Sequence, residues 1–304
     1  MLNRYKICVD KLVESDTDDS PILVYVDPDE NEKKHLVNDY LIDENTLHSA
    51  LDPNELSLLE FEPQHTAIIF KRPKNYSAKD QLLFKPTTVG MFCFVDKIII
   101  VMPENVVLFD GKVFSKVNSL TDVMLKLLYR SIRHFTDHLK VINMISDEIE
   151  RKINRAMENK HLINLFTLEK SLVYYVDAIS SNGGVLEKLK NYSSKFGFNQ
   201  EQMEFLDDII IENNQCNRQA QIYSDILASL MDARASIVSN NLNILIKILN
   251  LITITLMVPT LIVSIFSMNV KLPMQTLGHA FWIVCGFASI SVLVVLFIWR
   301  ALKL

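Results

Sequence analysis

The chain has 304 residues, enough for two or three domains, and a formal net charge of −5 that argues against nucleic-acid binding as its main task. It holds only seven glycines, and no Gly-rich phosphate loop is among them. The average hides a split, because the first two-thirds look like an acidic soluble protein while no Asp or Glu follows Asp232.

Residues 1–115 read as a mixed α/β domain. The start Met1-Leu2-Asn3-Arg4 lacks the apolar run of a signal peptide, so the N-terminal part is expected to stay in the cytosol. Strands are predicted at Pro21 to Val26, Thr66 to Arg72, Val89 to Val95, Lys97 to Val101 and Val106 to Phe109. Asp110-Gly111 before Lys112-Val113-Phe114 predicts a hairpin. Asp29 to Tyr40 and Glu44 to Leu51 predict short helices with one polar face. Cys8, Cys93, Cys216 and Cys285 are scattered without metal-ligand spacing and are expected to be reduced.

From Leu120 the texture changes. A long-helix stalk is predicted over 116–241. Leu120 to Met157 keeps helical periodicity through Val123, Leu127, Ile132, Leu139, Ile142, Ile145, Ile149 and Ile153. A second helix is predicted from His161 to about Tyr192, with Asn182-Gly183-Gly184 as a bend or break. A third starts near Asn199, where Asn199 and Gln202 have capping-box spacing. No Pro or Gly occurs from Phe198 to Val258, so this helix is expected to run on without a break. His134 and His138 share a helical face, but no third ligand is visible and a surface pair is expected. No nucleophile–base constellation stands out, so no enzyme is expected.

Residues 242–304 read as a two-helix membrane domain, with spans at about 242–267 and 279–300. Ile248 to Phe266 and Ala280 to Trp299 are uncharged stretches of 19 and 20 residues. At about 1.5 Å per residue each crosses the roughly 30 Å of a bilayer's hydrocarbon layer. Trp282 and Trp299 lie near the ends of the second stretch, where indoles favour the interface. Arg234, Lys247, Arg300 and Lys303 flank the spans and only Lys271 lies between them, which places both termini in the cytosol of a multi-pass cytoplasmic-membrane protein.

One pattern runs through the first span. Asp232, Ser236, Ser239, Asn243, Ile246, Asn250, Thr253, Met257, Thr260, Ser264 and Ser267 alternate steps of four and three, the spacing of a coiled-coil seam. Nine of the eleven are polar. Such a seam in a bilayer either packs on protein, with hydroxyls bonded to the backbone four residues back, or faces water. Several copies turning it inward would make a pore.

These residues carry a resemblance to the CorA family of divalent-cation channels. Its signature is Gly-Met-Asn at the outer end of the first span, where this chain has Ser267-Met268-Asn269. Leu230-Met231-Asp232-Ala233, Ser236-Ile237-Val238-Ser239-Asn240, Asn243 with Lys247, and Pro259-Thr260 are similar to the family as well. The resemblance covers nearly the whole chain and implies a funnel-shaped homopentamer whose first spans line the pore. It implies an outer ring at Asn269 beside Met268 and Ser267, with inner polar rings at Thr260, Asn243 and Asp232. Met257 and Ile246 then fall at the hydrophobic gate. Asn250 is either a further lining group or an interhelical hydrogen bond. Asp208 and Asp207 correspond to a regulatory intracellular metal site. The implied cargo is Mg²⁺, with Co²⁺ or Ni²⁺ as others, and no cofactor. The implied partners are further copies of the chain and membrane lipids, with no nucleic acid. A Zn²⁺-type relative, or a poorly conducting membrane-anchored scaffold or sensor, would share the same features.

The chemistry suits magnesium, which gives up water reluctantly. Neutral amide and hydroxyl groups can hydrogen-bond its waters without stripping them. Two departures stand out: Ser267 replaces the signature glycine, and the following loop carries Lys271 and no carboxylate.

Overall fold

The computed structural model describes residues 1–17, 19–76, 81–109, 111–155, 159–268 and 278–302. Contacts divide the chain into two units, Met1–Met231 and Asp232–Leu304. The expected α/β domain, long helices and two C-terminal apolar helices are all present.

In the first unit, seven strands form one sheet in the order β2-β1-β3-β7-β6-β5-β4. They are β1 (Leu2–Cys8), β2 (Lys11–Glu14), β3 (Ile22–Val26), β4 (Leu58–Phe61), β5 (Thr66–Pro73), β6 (Pro86–Cys93) and β7 (Ile98–Met102). Only β3 and β7 pair in parallel; every other neighbouring pair is antiparallel. Every residue of β3 and β7 is buried, which is why both read as unbroken apolar runs rather than alternating ones. The strand period of two sends Leu23, Tyr25, Ile99 and Val101 to one face. Helices α1 (Glu30–Asn38) and α2 (Glu44–Leu51) cover that face. Ile22, Val24, Ile98 and Ile100 point to the other, against α3 (Leu120–Arg155) and α4 (Asn159–Asn191). A one-turn helix, α5 (Ser193–Phe196), leads into α6 (Gln200–Phe266), whose Leu206, Ile209, Cys216, Ala220 and Leu227 join the same core.

The sequence signals fail at four places, each for a physical reason. The β1–β2 hairpin turns through Val9 and Asp10, both at positive φ (48° and 61°), without the Asn-Gly or Asp-Gly that normally marks such a turn. Val106 to Phe109 is not a strand: Phe109 packs edge-on against Tyr5 and Phe114, so its burial needs no ladder. The predicted hairpin at Gly111 is instead a short 3₁₀ turn over Lys112–Ser115, entered at a glycine with φ of 86°; Asp110 lies outside the described residues. Nor does Gly183-Gly184 break α4. A Cβ on Gly183 would lie 3.1 Å from Asn213 Nδ2, so the glycine lets α6 approach closely.

The expected cap at Asn199 is present and does more than end a helix. Asn199 Oδ1 accepts from the Gln202 N–H at 2.8 Å, and Gln202 Oε1 accepts from the Asn199 N–H at 3.1 Å. Gln202 Nε2 then donates to Asp122 Oδ1 (2.8 Å) and Ser119 Oγ (3.1 Å), which form the cap of α3. One glutamine thus ties the N-termini of α3 and α6 together.

Gly90 on β6 is a close-packing position. A Cβ there would fall 2.5 Å from Ala50 Cβ on α2, and Ala50 is fully buried. Gly90→Ala is expected to destabilise the chain by about 1–3 kcal/mol through overpacking. Ala50→Gly in the same chain should restore most of that loss. Thermal melts of the two variants and the double mutant in detergent check the coupling; additive losses in the double mutant would refute the contact.

Candidate functional site

The second unit contains the C-terminal part of α6, from Asp232 to Phe266, and α7 (Ala280–Leu302). Both helices are long and apolar enough to cross a membrane. α6 continues through Pro259 although the span is rich in β-branched Ile, Thr and Val, because in a bilayer the backbone groups must be satisfied within the helix. Proline lacks the N–H that would bond the Thr255 carbonyl, which makes this the one turn of the span with a built-in weakness.

All eleven seam positions are exposed. Ile246 and Met257 have 53% and 64% of their surface open. The half-covered residues of the span, Leu251, Thr255, Val258, Pro259, Ile262 and Phe266, lie on the opposite side at helical spacing. A groove between the two helices is lined by Lys247, Asn250, Leu251 and Ile254 from α6 and by Val295, Ile298 and Trp299 from α7. The polar seam therefore faces away from α7, and Asn250 sits at the seam's edge against the groove. Asn243, Ile246, Met257, Thr260 and Ser264 hold the open face.

The hydroxyls have a consistent geometry. Thr253 Oγ1 donates to the Leu249 carbonyl at 2.9 Å, Thr260 Oγ1 to the Leu256 carbonyl at 2.6 Å, and Ser267 Oγ to the Ser264 carbonyl at 2.9 Å. Each proton is held by the helix's own backbone, so each oxygen presents only lone pairs outward. A hydrated cation offers water hydrogens, the matching partner for such a surface. The hydroxyl bonds and the open face thus coexist on the same residues.

At the outer end, α6 closes with Ser267 N–H donating to the Val263 and Ser264 carbonyls (3.1 and 3.2 Å). Met268 follows in a turn with 57% of its surface open. Asn269 and Lys271 lie outside the described residues, as does the loop through Thr276.

In the first unit, Asp207 forms an ion pair with Lys190 at 2.8 Å, while Asp208 is exposed. Among the described residues, no three His, Cys, Asp or Glu side chains converge on a point that could hold a metal. The His134–His138 pair is not a surface pair. Both are half-buried, their rings 4.4 Å apart, with His138 Nδ1 and the Tyr175 hydroxyl at 2.7 Å. The helical spacing was legible, but β5 and α4, which cover the pair, come from distant sequence.

Known proteins resemble this chain along most of its length. The pattern of a family described as CorA-like Mg²⁺ transporter protein matches residues 22–300. The cobalt/magnesium transport protein CorA of Methanocaldococcus jannaschii is 22% identical over 288 residues, covering 90% of this chain and 88% of that protein. The complete structure of the CorA magnesium transporter from the same organism superposes with a TM-score of 0.80 at 20% identity, covering 99% of this chain and 97% of that one. Full-length CmaX protein gives 0.72 at 13% identity over 97% of this chain and 90% of its own. At these identities the structures speak for the fold.

Proposed function

The chain belongs to the CorA-like Mg²⁺ transporter family, and on that footing we propose that it works as a homopentameric channel with Mg²⁺ as its principal cargo. It is a divalent-cation transporter of the cytoplasmic membrane, with two C-terminal spans and a cytosolic N-terminal domain. Five copies would turn the seam of α6 inward and leave α7 outside.

The observation that carries this reading is the placement of the seam. A polar face directed away from α7, the other span among the described residues, needs another partner, and further copies with water between them supply it. Thr260, Asn243 and Asp232 then form successive polar rings, and Asn269 with Met268 and Ser267 forms the outer mouth. Asn amides and proton-committed hydroxyls can hold the waters of Mg²⁺ without stripping them. Met257 and Ile246 interrupt the polar rings with apolar ones that close the path by dewetting. Asn250, at the groove, packs the two spans rather than lining the path. With Asp207 paired to Lys190, intracellular metal sensing at a subunit interface falls to Asp208.

The test is flux. Purified chain in liposomes loaded with a Mg²⁺-sensitive dye should admit Mg²⁺, and Asn269→Ala should lower the rate severalfold. Running Co²⁺, Ni²⁺ and Zn²⁺ in parallel ranks the cargo, and native mass spectrometry counts the copies. Flux no greater than in empty liposomes, with wild type and variant alike, would leave a membrane-anchored scaffold as the better description. Zn²⁺ moving faster than Mg²⁺ would move the chain to the zinc-type relatives.

A further inference from the structure

We propose that the groove between α6 and α7 binds an anionic phospholipid of the cytoplasmic leaflet, its phosphate held by Lys247 and an acyl chain lying along both helices. The groove has a volume of about 330 Å³, within the range of small-molecule sites. Each helix lines it with positions three and four residues apart, so each wall is one continuous face.

The order of groups along the groove is that of a phospholipid. α6 enters the membrane from the cytosolic domain and α7 returns toward the cytosol, so Lys247 and Trp299 stand at the cytosolic mouth. Asn250 follows on α6, about 4.5 Å deeper. Leu251 and Ile254, with Ile298 and Val295 opposite, form an apolar floor below them. A charge, then an amide, then hydrocarbon matches phosphate, glycerol ester and acyl chain in turn. The amide N–H can donate to an ester carbonyl, and an indole favours the interface.

Charge selects the headgroup. Asp232 is the only acidic side chain in the sequence of the second unit. It lies about 22 Å before Lys247 along α6, at roughly 1.5 Å per residue. Lys247 therefore has no carboxylate of its own unit within reach, and Arg300, exposed beside Trp299, adds a second cation at the same end. A lysine at the edge of the hydrocarbon layer turns its ammonium toward the headgroups, where phosphates are the anions at hand. A zwitterionic lipid would bring its own ammonium to a place with two cations and no acid. A lipid whose headgroup carries no amine leaves the phosphate charge for Lys247. Another copy of the chain in the same membrane orientation is the poorer occupant, because its Asp232 lies equally far from this depth.

The chain's two tryptophans, Trp282 and Trp299, make the test optical. Trp282→Phe leaves Trp299 as the reporter at the groove. This full-length variant is reconstituted in phosphatidylcholine vesicles with a rising share of lipid brominated on its acyl chains, which quenches indole fluorescence on contact. Brominated phosphatidylglycerol should reach half-quenching at a mole fraction roughly fivefold below that of brominated phosphatidylcholine, the effect of one basic residue at an anionic surface. Lys247→Gln should bring the two curves together, and Lys247→Arg should keep them apart. Trp282, read alone in a Trp299→Phe chain, should show no such preference. Equal quenching of Trp299 by the two lipids overturns the proposal, as does a preference that survives Lys247→Gln. An equal preference at Trp282 would mean general attraction to the surface rather than a site. Quenching by neither lipid would mean that another copy covers the groove. The readout is lipid contact, so its failure would leave the transport reading untouched.

Discussion

Met257→Asn is expected to raise the resting Mg²⁺ flux of liposome-reconstituted chain by roughly tenfold or more. Met257 lies on the open face of α6, one turn inside Thr260, with 64% of its surface exposed. In a closed pore, its copies would meet each other rather than water. Burying a methionine side chain is worth about 1.5–3 kcal/mol. Every 1.4 kcal/mol is tenfold in an equilibrium. Losing the contribution of one copy therefore already shifts the closed population about tenfold, and a ring repeats the change in each subunit. An amide also holds water where the thioether expels it, so the constriction stays wet. Met257→Leu, apolar and of similar size, should keep the path closed. Unchanged resting flux in Met257→Asn, with the protein folded and assembled, would remove this residue from the gate and leave Ile246 as the remaining apolar ring.

The largest loss of stability is expected from Asn182→Leu. Asn182 is buried on α4 with 4% of its surface exposed. Its Oδ1 accepts from the Lys71 N–H at 2.7 Å and the Ser57 hydroxyl at 2.8 Å, and its Nδ2 donates to the Lys71 carbonyl at 2.8 Å. Ser181 Oγ, beside it, accepts from the Ser57 N–H at 2.7 Å. One amide thus closes three bonds between the helix layer and the sheet. Ser131 Oγ also donates to the Lys71 carbonyl, so that group keeps a partner in the variant. The Lys71 N–H is left with no such substitute. An orphaned buried donor costs about 1–3 kcal/mol, and the other two bonds about 1 kcal/mol each. A total near 3–5 kcal/mol follows, or about 6–20 °C in Tm at roughly 2–4 °C per kcal/mol. A thermal melt of the detergent-solubilised chain measures it. A drop of under 2 °C would show that the β5–α4 contact does not depend on this amide.

Asn182 also shows what the sequence could and could not reveal. Asn-Gly-Gly is a turn signal read locally, and only the fold turns it into a contact site, with Lys71 on one side of α4 and Asn213 on the other. The central strands were legible because full burial leaves an unbroken apolar run, as in Ile98 to Met102. The cap of α6 was legible because its two partners lie three residues apart. β1 and β2 were not, because Val9-Asp10 adopts its turn against local preference. Within the membrane unit, polar spacing alone picked out a face. Which way that face points depended on where α7 lies, and spacing within α6 carries no information about that.

The hydroxyls of Thr253, Thr260 and Ser267 give the seam a further property. A free hydroxyl is ambivalent and can turn its hydrogen toward an anion as readily as its lone pairs toward a cation. With the hydrogen fixed on a backbone carbonyl, that choice is gone. On the proposed pore reading, these positions would discriminate by the sign of an ion although they carry no formal charge. Chloride would find no donor at them, and a divalent cation would find no fixed carboxylate to trap it. A path built this way would reject anions and still let its cargo leave.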